Sequence, residues 1–146
     1  RRLMVELEKS PSGAGTDLAV GLRGLNERVR KRSMIVMFSD FLAPLVEVER
    51  EIGLLAAAGH DLIIVQCLDA AELDFPFDKA SHFEDSETGQ ALYVDPVVAR
   101  KLYLERLQSH LDGIRKICNK VGAGYHLFST SVPLESAMSQ FVLRRS

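Results

Sequence analysis

Apolar residues in this chain switch between unbroken runs and helical spacings. Met34 to Phe38 ("MIVMF") is one unbroken run, and "DLIIVQCLD" (61–69) contains a second. Such runs predict strands buried on both faces of a parallel sheet. Between them Leu45, Val48, Ile52 and Leu55 recur at 3-4-3 spacing, the stripe of an amphipathic helix. Gly59 then supplies a left-handed C-terminal residue. Ahead of the first run, Leu18, Leu22, Leu25 and Val29 recur at 4-3-4 spacing behind Thr16 and Asp17, which predicts a helix opened by those two residues. Beyond the second run, Leu104, Leu107, Leu111, Ile114 and Cys118 predict a long helix ending near Val121, with Asp95 as its N-cap and Pro96 at its first position. "GAGYHLFST" predicts a third strand at about 124–128, ending in Ser129 and Thr130. A last helix is predicted over about Pro133–Leu143, burying Leu134, Ala137, Met138 and Phe141.

The pattern loosens between Asp69 and Asp95. "SHFED" and "QALYV" are short β-like runs around "SETG", which predicts a hairpin insertion within 81–94. Buried strands alternating with amphipathic helices define an α/β three-layer sandwich with a parallel sheet. Ligands of such sheets collect at the carboxyl ends of the strands. Asp40, Asp69, Ser129 and Thr130 are therefore predicted along one edge.

Composition narrows the picture further. The chain has 146 residues, 47% hydrophobic and 26% charged, the length of about one domain. A formal net charge of −2 supplies no drive toward nucleic acid or an anionic membrane. "RVRKR" (28–32) reads as the solvated end of a helix, where cations complement the dipole. Cys67 and Cys118 are too few for a disulfide framework and sit among apolar residues, which fits a reducing compartment. No apolar run approaches the ~20 residues of a membrane span, and no signal-peptide pattern is present. The opening "RRLMVELEKS" reads like the middle of a helix. The expectation is one partial domain over 1–146, cut from a longer protein. This segment is expected to be cytoplasmic or cytosol-facing, with no membrane contact.

Two residues carry the best candidate chemistry. Thr16 opens a helix after a Gly-containing loop, and Asp40 leaves a strand, so both can reach the same rim. A hydroxyl and a carboxylate completed by water suit a hard cation such as Mg²⁺ or Mn²⁺. The plainer alternative is that each caps its helix, the commonest use of these residue types there. A second alternative pairs Asp40 with Asp69 as carboxylates of a Mg-dependent hydrolase or phosphotransferase, although Asp69 also reads as the cap of "AAEL". His60, His82, His110 and His126 show no metal-binding spacing and read as structural or surface residues. There is no GxSxG, GxxxxGK[ST] or GxGxxG, so no catalytic residue is assigned.

"GAGTDLAVGLRGLNERVRKRSMIVMFSDFL" resembles the second half of the von Willebrand factor A-like domain in the bacterial family called domain of unknown function 58. The resemblance runs on through "GHDLIIVQCLDAAELDFPF", "FEDSETGQALYVDP" and the segment to "VLRR", nearly all of the chain from Gly13. It implies a Rossmann-like fold. It also implies a metal-ion-dependent adhesion site, in which Thr16 matches the second element and Asp40 the third. The first element, an Asp-x-Ser-x-Ser after an earlier strand, has no counterpart here, so weak or no cation binding is expected of this segment alone. Without that earlier strand, 34–38 would be an apolar edge open to self-association. The resemblance further implies a non-enzymatic interaction domain working with a MoxR-type AAA+ ATPase in chaperone-like assembly. A scaffold with a vestigial metal site is the alternative.

Overall fold

The computed structural model describes residues 18–77, 81–84, 91–133 and 135–136. In chain order these form α1 (Leu18–Arg28), β1 (Met34–Ser39), α2 (Leu45–Ala57), β2 (Asp61–Leu68) and α3 (Ala70–Asp74). Then come β3 (Ser81–Glu84), β4 (Ala91–Val94), α4 (Pro96–Val121) and β5 (Gly124–Ser129). Strands β1, β2 and β5 make a parallel sheet in the order β1-β2-β5. The architecture is an α/β Rossmann-like sheet flanked by helices. β3 and β4 pair antiparallel where the hairpin was expected, Ser81 opposite Val94. Most of the predicted last helix lies outside the described residues, as do Thr16 and Asp17.

The apolar stripes read from the sequence meet in one core. Val48, Ile52 and Leu55 of α2 and Ile114 and Cys118 of α4 pack with Ile35, Leu62 and Ile64 of the sheet. Both connections step the same way across the sheet, and right-handed crossovers of that kind put their helices on one face. Leu22 of α1 joins this core from beyond α2. Two glycines make the arrangement possible. Gly59 ends α2 at φ +84, where a side chain would strain the backbone. Gly113 lets α2 approach α4, because a Cβ there would collide with the Leu45 side chain.

Burial corrects one expectation. β2 is buried along nearly its whole length, as a central strand should be. β1 instead alternates, with Ile35 buried but Met34 and Phe38 about 60% exposed (60% and 61%). Its apolar run does not mean burial on both faces: among the described residues β1 ends the strand order and only its Ile35 face meets the helices. The basic residues Arg30, Lys31 and Arg32 after α1 are exposed, as a solvated helix end requires.

One charge is buried in the helical layer. Glu51 of α2 is 2% exposed. Its Oε1 accepts from Arg50 Nε at 3.0 Å and Nη2 at 2.8 Å, with Arg23 Nε at 3.8 Å. Asn26 of α1 donates to Oε2 at 3.4 Å. Removing a partner would leave a buried acceptor poorly satisfied. Arg50→Ala is therefore expected to cost about 1–3 kcal/mol, read as a lower urea midpoint, where ordinary surface changes stay within about 0.5 kcal/mol.

No helix among the described residues is long and apolar enough to cross a membrane.

Candidate functional site

Parallel pairing brings the ends of β1, β2 and β5 to one edge, with Ser39 level with Gln66 and Leu68 level with Ser129. Asp40, Asp69 and Thr130 leave the sheet there, as the alternation of strand and helix predicted. Their hydrogen bonds separate their roles.

Asp69 is a structural cap. Its Oδ1 accepts from the Ala71 amide at 2.8 Å, and the Asp69 amide donates to Glu72 Oε2 at 2.7 Å, completing a capping box for α3. Its Oδ2 accepts from Thr130 Oγ1 at 2.7 Å. These bonds hold its carboxyl below the ordinary aspartate value, the Ala71 amide contributing most and the Thr130 hydroxyl next. A depressed folded-state pKa stabilises the fold above the ordinary value, and that stabilisation fades as pH falls through the folded-state value. Asp69→Ala is expected to lower the thermal midpoint at neutral pH, with the gap to wild type closing as acid protonates Asp69. A melting series from pH 7 to strongly acid solution checks this.

Asp40 behaves differently. It does not cap the following helix: the N-cap of α2 is Pro44, with no side-chain bond. Asp40 is exposed, and its Oδ1 accepts from the Leu42 amide at 3.1 Å and from Ser39 Oγ at 3.3 Å. Among the described residues no hydrogen bond engages its Oδ2. The carboxylate thus organises its own turn through one oxygen and presents the other.

The turn behind it is unusual. Phe41 follows with φ +55, a left-handed backbone for a bulky residue, and its ring is completely buried. The Phe41 amide donates to Ser39 Oγ at 3.0 Å. The Phe41 carbonyl accepts from the Ala43 amide at 2.8 Å and from His110 Nε2, on α4, at 2.8 Å. A carbonyl only accepts, so His110 carries its proton on Nε2. Gln66, wholly buried in β2, donates from Nε2 to the Asp40 carbonyl at 2.6 Å. Its Oε1 accepts from Tyr125 Oη, on β5, at 3.0 Å.

Gln66, His110 and Tyr125 were not singled out from the sequence. Gln66 alone left a signal, as the one polar residue inside the apolar run of β2. His110 is structural, as its spacing suggested, and so is His60, whose Nδ1 accepts from the Ser33 amide at 3.2 Å. Neither cysteine is a poised thiolate. Burial, aided by the nearby Asp40 charge, pushes Cys67 up, and burial pushes Cys118 up to about 11. Both are free thiols.

Among the described residues no group of three or more His, Cys, Asp or Glu side chains is placed to hold a metal ion. Asp40 offers one carboxylate, a hard oxygen donor of the kind divalent cations take, against the roughly six oxygens such a cation gathers. The described residues therefore do not make a closed metal site. Thr16 lies outside the described residues.

Residues 1–111 match the family model described as "Protein of unknown function DUF58". The chain belongs to this family. It is 32% identical over 88 residues to an uncharacterized protein of Mycobacterium avium, covering 60% of this chain and 51% of that one. It is 29% identical over 99 residues to uncharacterized proteins of Mycobacterium bovis and Mycobacterium tuberculosis, covering 66% of this chain and 31% of each. The chain thus spans about half or less of the length of these relatives. No solved structure matches it.

Proposed function

We propose that this chain is a non-enzymatic protein-interaction domain of the von Willebrand A type, in which Asp40, with Thr16, offers oxygens to a divalent cation shared with a partner. One observation carries the reading. The Asp40 carboxylate stands exposed at the carboxyl edge, relieved of helix capping, with Oδ2 unengaged among the described residues. A cation bound there would bridge this domain to a carboxylate of the partner, which completes the coordination that Asp40 and Thr16 begin. An open part-site suits that use, because the affinity belongs to the complex.

The partner proposed is a MoxR-type AAA+ ATPase or its client, in chaperone-like assembly. Support comes from family membership together with the resemblance of "GTDL" and "FSDF" to the second and third adhesion-site elements. The competing enzymatic reading needs Asp69 as a second metal-holding carboxylate. Both Asp69 oxygens are already engaged, one by the Ala71 amide and one by Thr130, which favours the interaction reading.

The test is pull-down of the ATPase by the intact protein, with Mg²⁺ or Mn²⁺ and with chelator. Retention that needs the cation and Asp40 supports the reading. Retention indifferent to both leaves a scaffold with a vestigial site. Phosphatase activity lost in Asp40→Ala would return the enzyme.

A further inference from the structure

The turn that presents Asp40 is held from outside itself. Two successive carbonyls, those of Asp40 and Phe41, each accept from a side chain on a different element. Gln66 reaches from β2 and His110 from α4, while Tyr125 on β5 fixes the Gln66 amide. Burying a glutamine wholly inside a central strand is costly unless its polar atoms are satisfied. Gln66 is satisfied here by the Asp40 carbonyl and by Tyr125. The strand therefore accepts a polar residue at the level of Ser39, one position before Asp40.

The backbone it holds is not one the chain would choose. Left-handed φ at a phenylalanine persists only when the surroundings over-determine it. Within the turn, the Phe41, Leu42 and Ala43 amides bond to Ser39 Oγ, Asp40 Oδ1 and the Phe41 carbonyl. Those local bonds reach no further than the end of β1. Gln66 ties the turn to β2, and His110 ties it to α4.

We infer that Gln66 and His110 are positioning residues for Asp40: they clamp the two carbonyls of its turn, so that the carboxylate is aimed before any ligand arrives. The inference rests on the cation-bridging reading for its purpose, though the clamp itself is observable without a ligand. Preorganising a ligand through its supporting hydrogen bonds is worth about 10–100-fold in metal affinity elsewhere.

The experiment uses the full chain and three variants. Gln66→Leu keeps the bulk and removes both bonds. His110→Leu removes the donor, and His110→Gln keeps an N–H near the position of Nε2. Amide hydrogen exchange is read at Phe41, Leu42 and Ala43 against Ile64 in the core, and Mn²⁺ affinity is read by paramagnetic resonance. Gln66→Leu and His110→Leu should speed exchange at the three turn amides by about tenfold relative to Ile64, the loss of one hydrogen bond. His110→Gln should restore wild-type exchange. Mn²⁺ affinity should follow the same order, falling about tenfold or more in the two leucine variants.

Unchanged turn exchange in both leucine variants overturns the clamp, as does equal acceleration at Ile64, which marks general destabilisation. If Gln66→Leu does not fold, the leucine and glutamine pair at His110 still decides. A wild-type protein that binds no Mn²⁺, alone or with its partner, removes the cation-bridging reading, while turn exchange continues to judge the clamp.

Discussion

Alanine at Phe41 should lower stability by about 3–5 kcal/mol, the usual cost of deleting a buried aromatic side chain. The ring is wholly buried in the core shared by the sheet, α2 and α4, so its removal loses transfer free energy and leaves a cavity. Alanine does nothing for the backbone, since any residue with a Cβ pays about 1–2 kcal/mol at left-handed φ. Glycine avoids that strain, so Phe41→Gly should be no less stable than Phe41→Ala despite its looser unfolded chain. Urea unfolding of the two variants checks both statements. An alanine variant within about 1 kcal/mol of wild type would remove Phe41 from the core, and a glycine variant clearly below alanine would deny the left-handed turn.

Phe41 also shows why part of this site was hidden in the sequence. Elements announced themselves through spacing: the stripe Val48–Ile52–Leu55 is buried as its period required, and α4 runs from Pro96 to Val121 as its cap and stripe implied. Strand ends put Asp40 and Asp69 on one edge. Composition alone did not separate them, because aspartate after a strand looks the same whether it caps a helix or stands free. The difference lies three residues further on for Asp69, where Glu72 closes a capping box, and four residues on for Asp40, where Pro44 takes the cap position.

β1 misled for a related reason. An apolar run reports that no polar side chain interrupts a strand, not how many neighbours cover it. Among the described residues β1 stands at the end of the strand order, and there Phe38 stays exposed. The clamp was out of reach for another reason. Gln66 and His110 are 44 residues apart by number and meet the turn only through tertiary structure, one at each of two successive carbonyls.

Asp40→Ala is the other variant with a large expected effect, and the effect should be selective. The described bonds of its side chain are confined to its own turn and the neighbouring Ser39. Loss of an exposed turn bond costs about 0.5–1.5 kcal/mol of stability. Cation binding, in contrast, should disappear, because in the proposed function Asp40 is the charged ligand. A folded protein with a silent site is the expected phenotype, whereas Phe41→Ala acts on stability.

The decisive measurement is titration calorimetry of Mg²⁺ and Mn²⁺ into the intact protein, wild type and Asp40→Ala, with the unfolding midpoint recorded for each. Binding by wild type that is lost in Asp40→Ala, at closely similar stability, is the predicted result. Equal binding by both, or none by wild type with its partner present, would contradict a cation held at the end of "MIVMFSD".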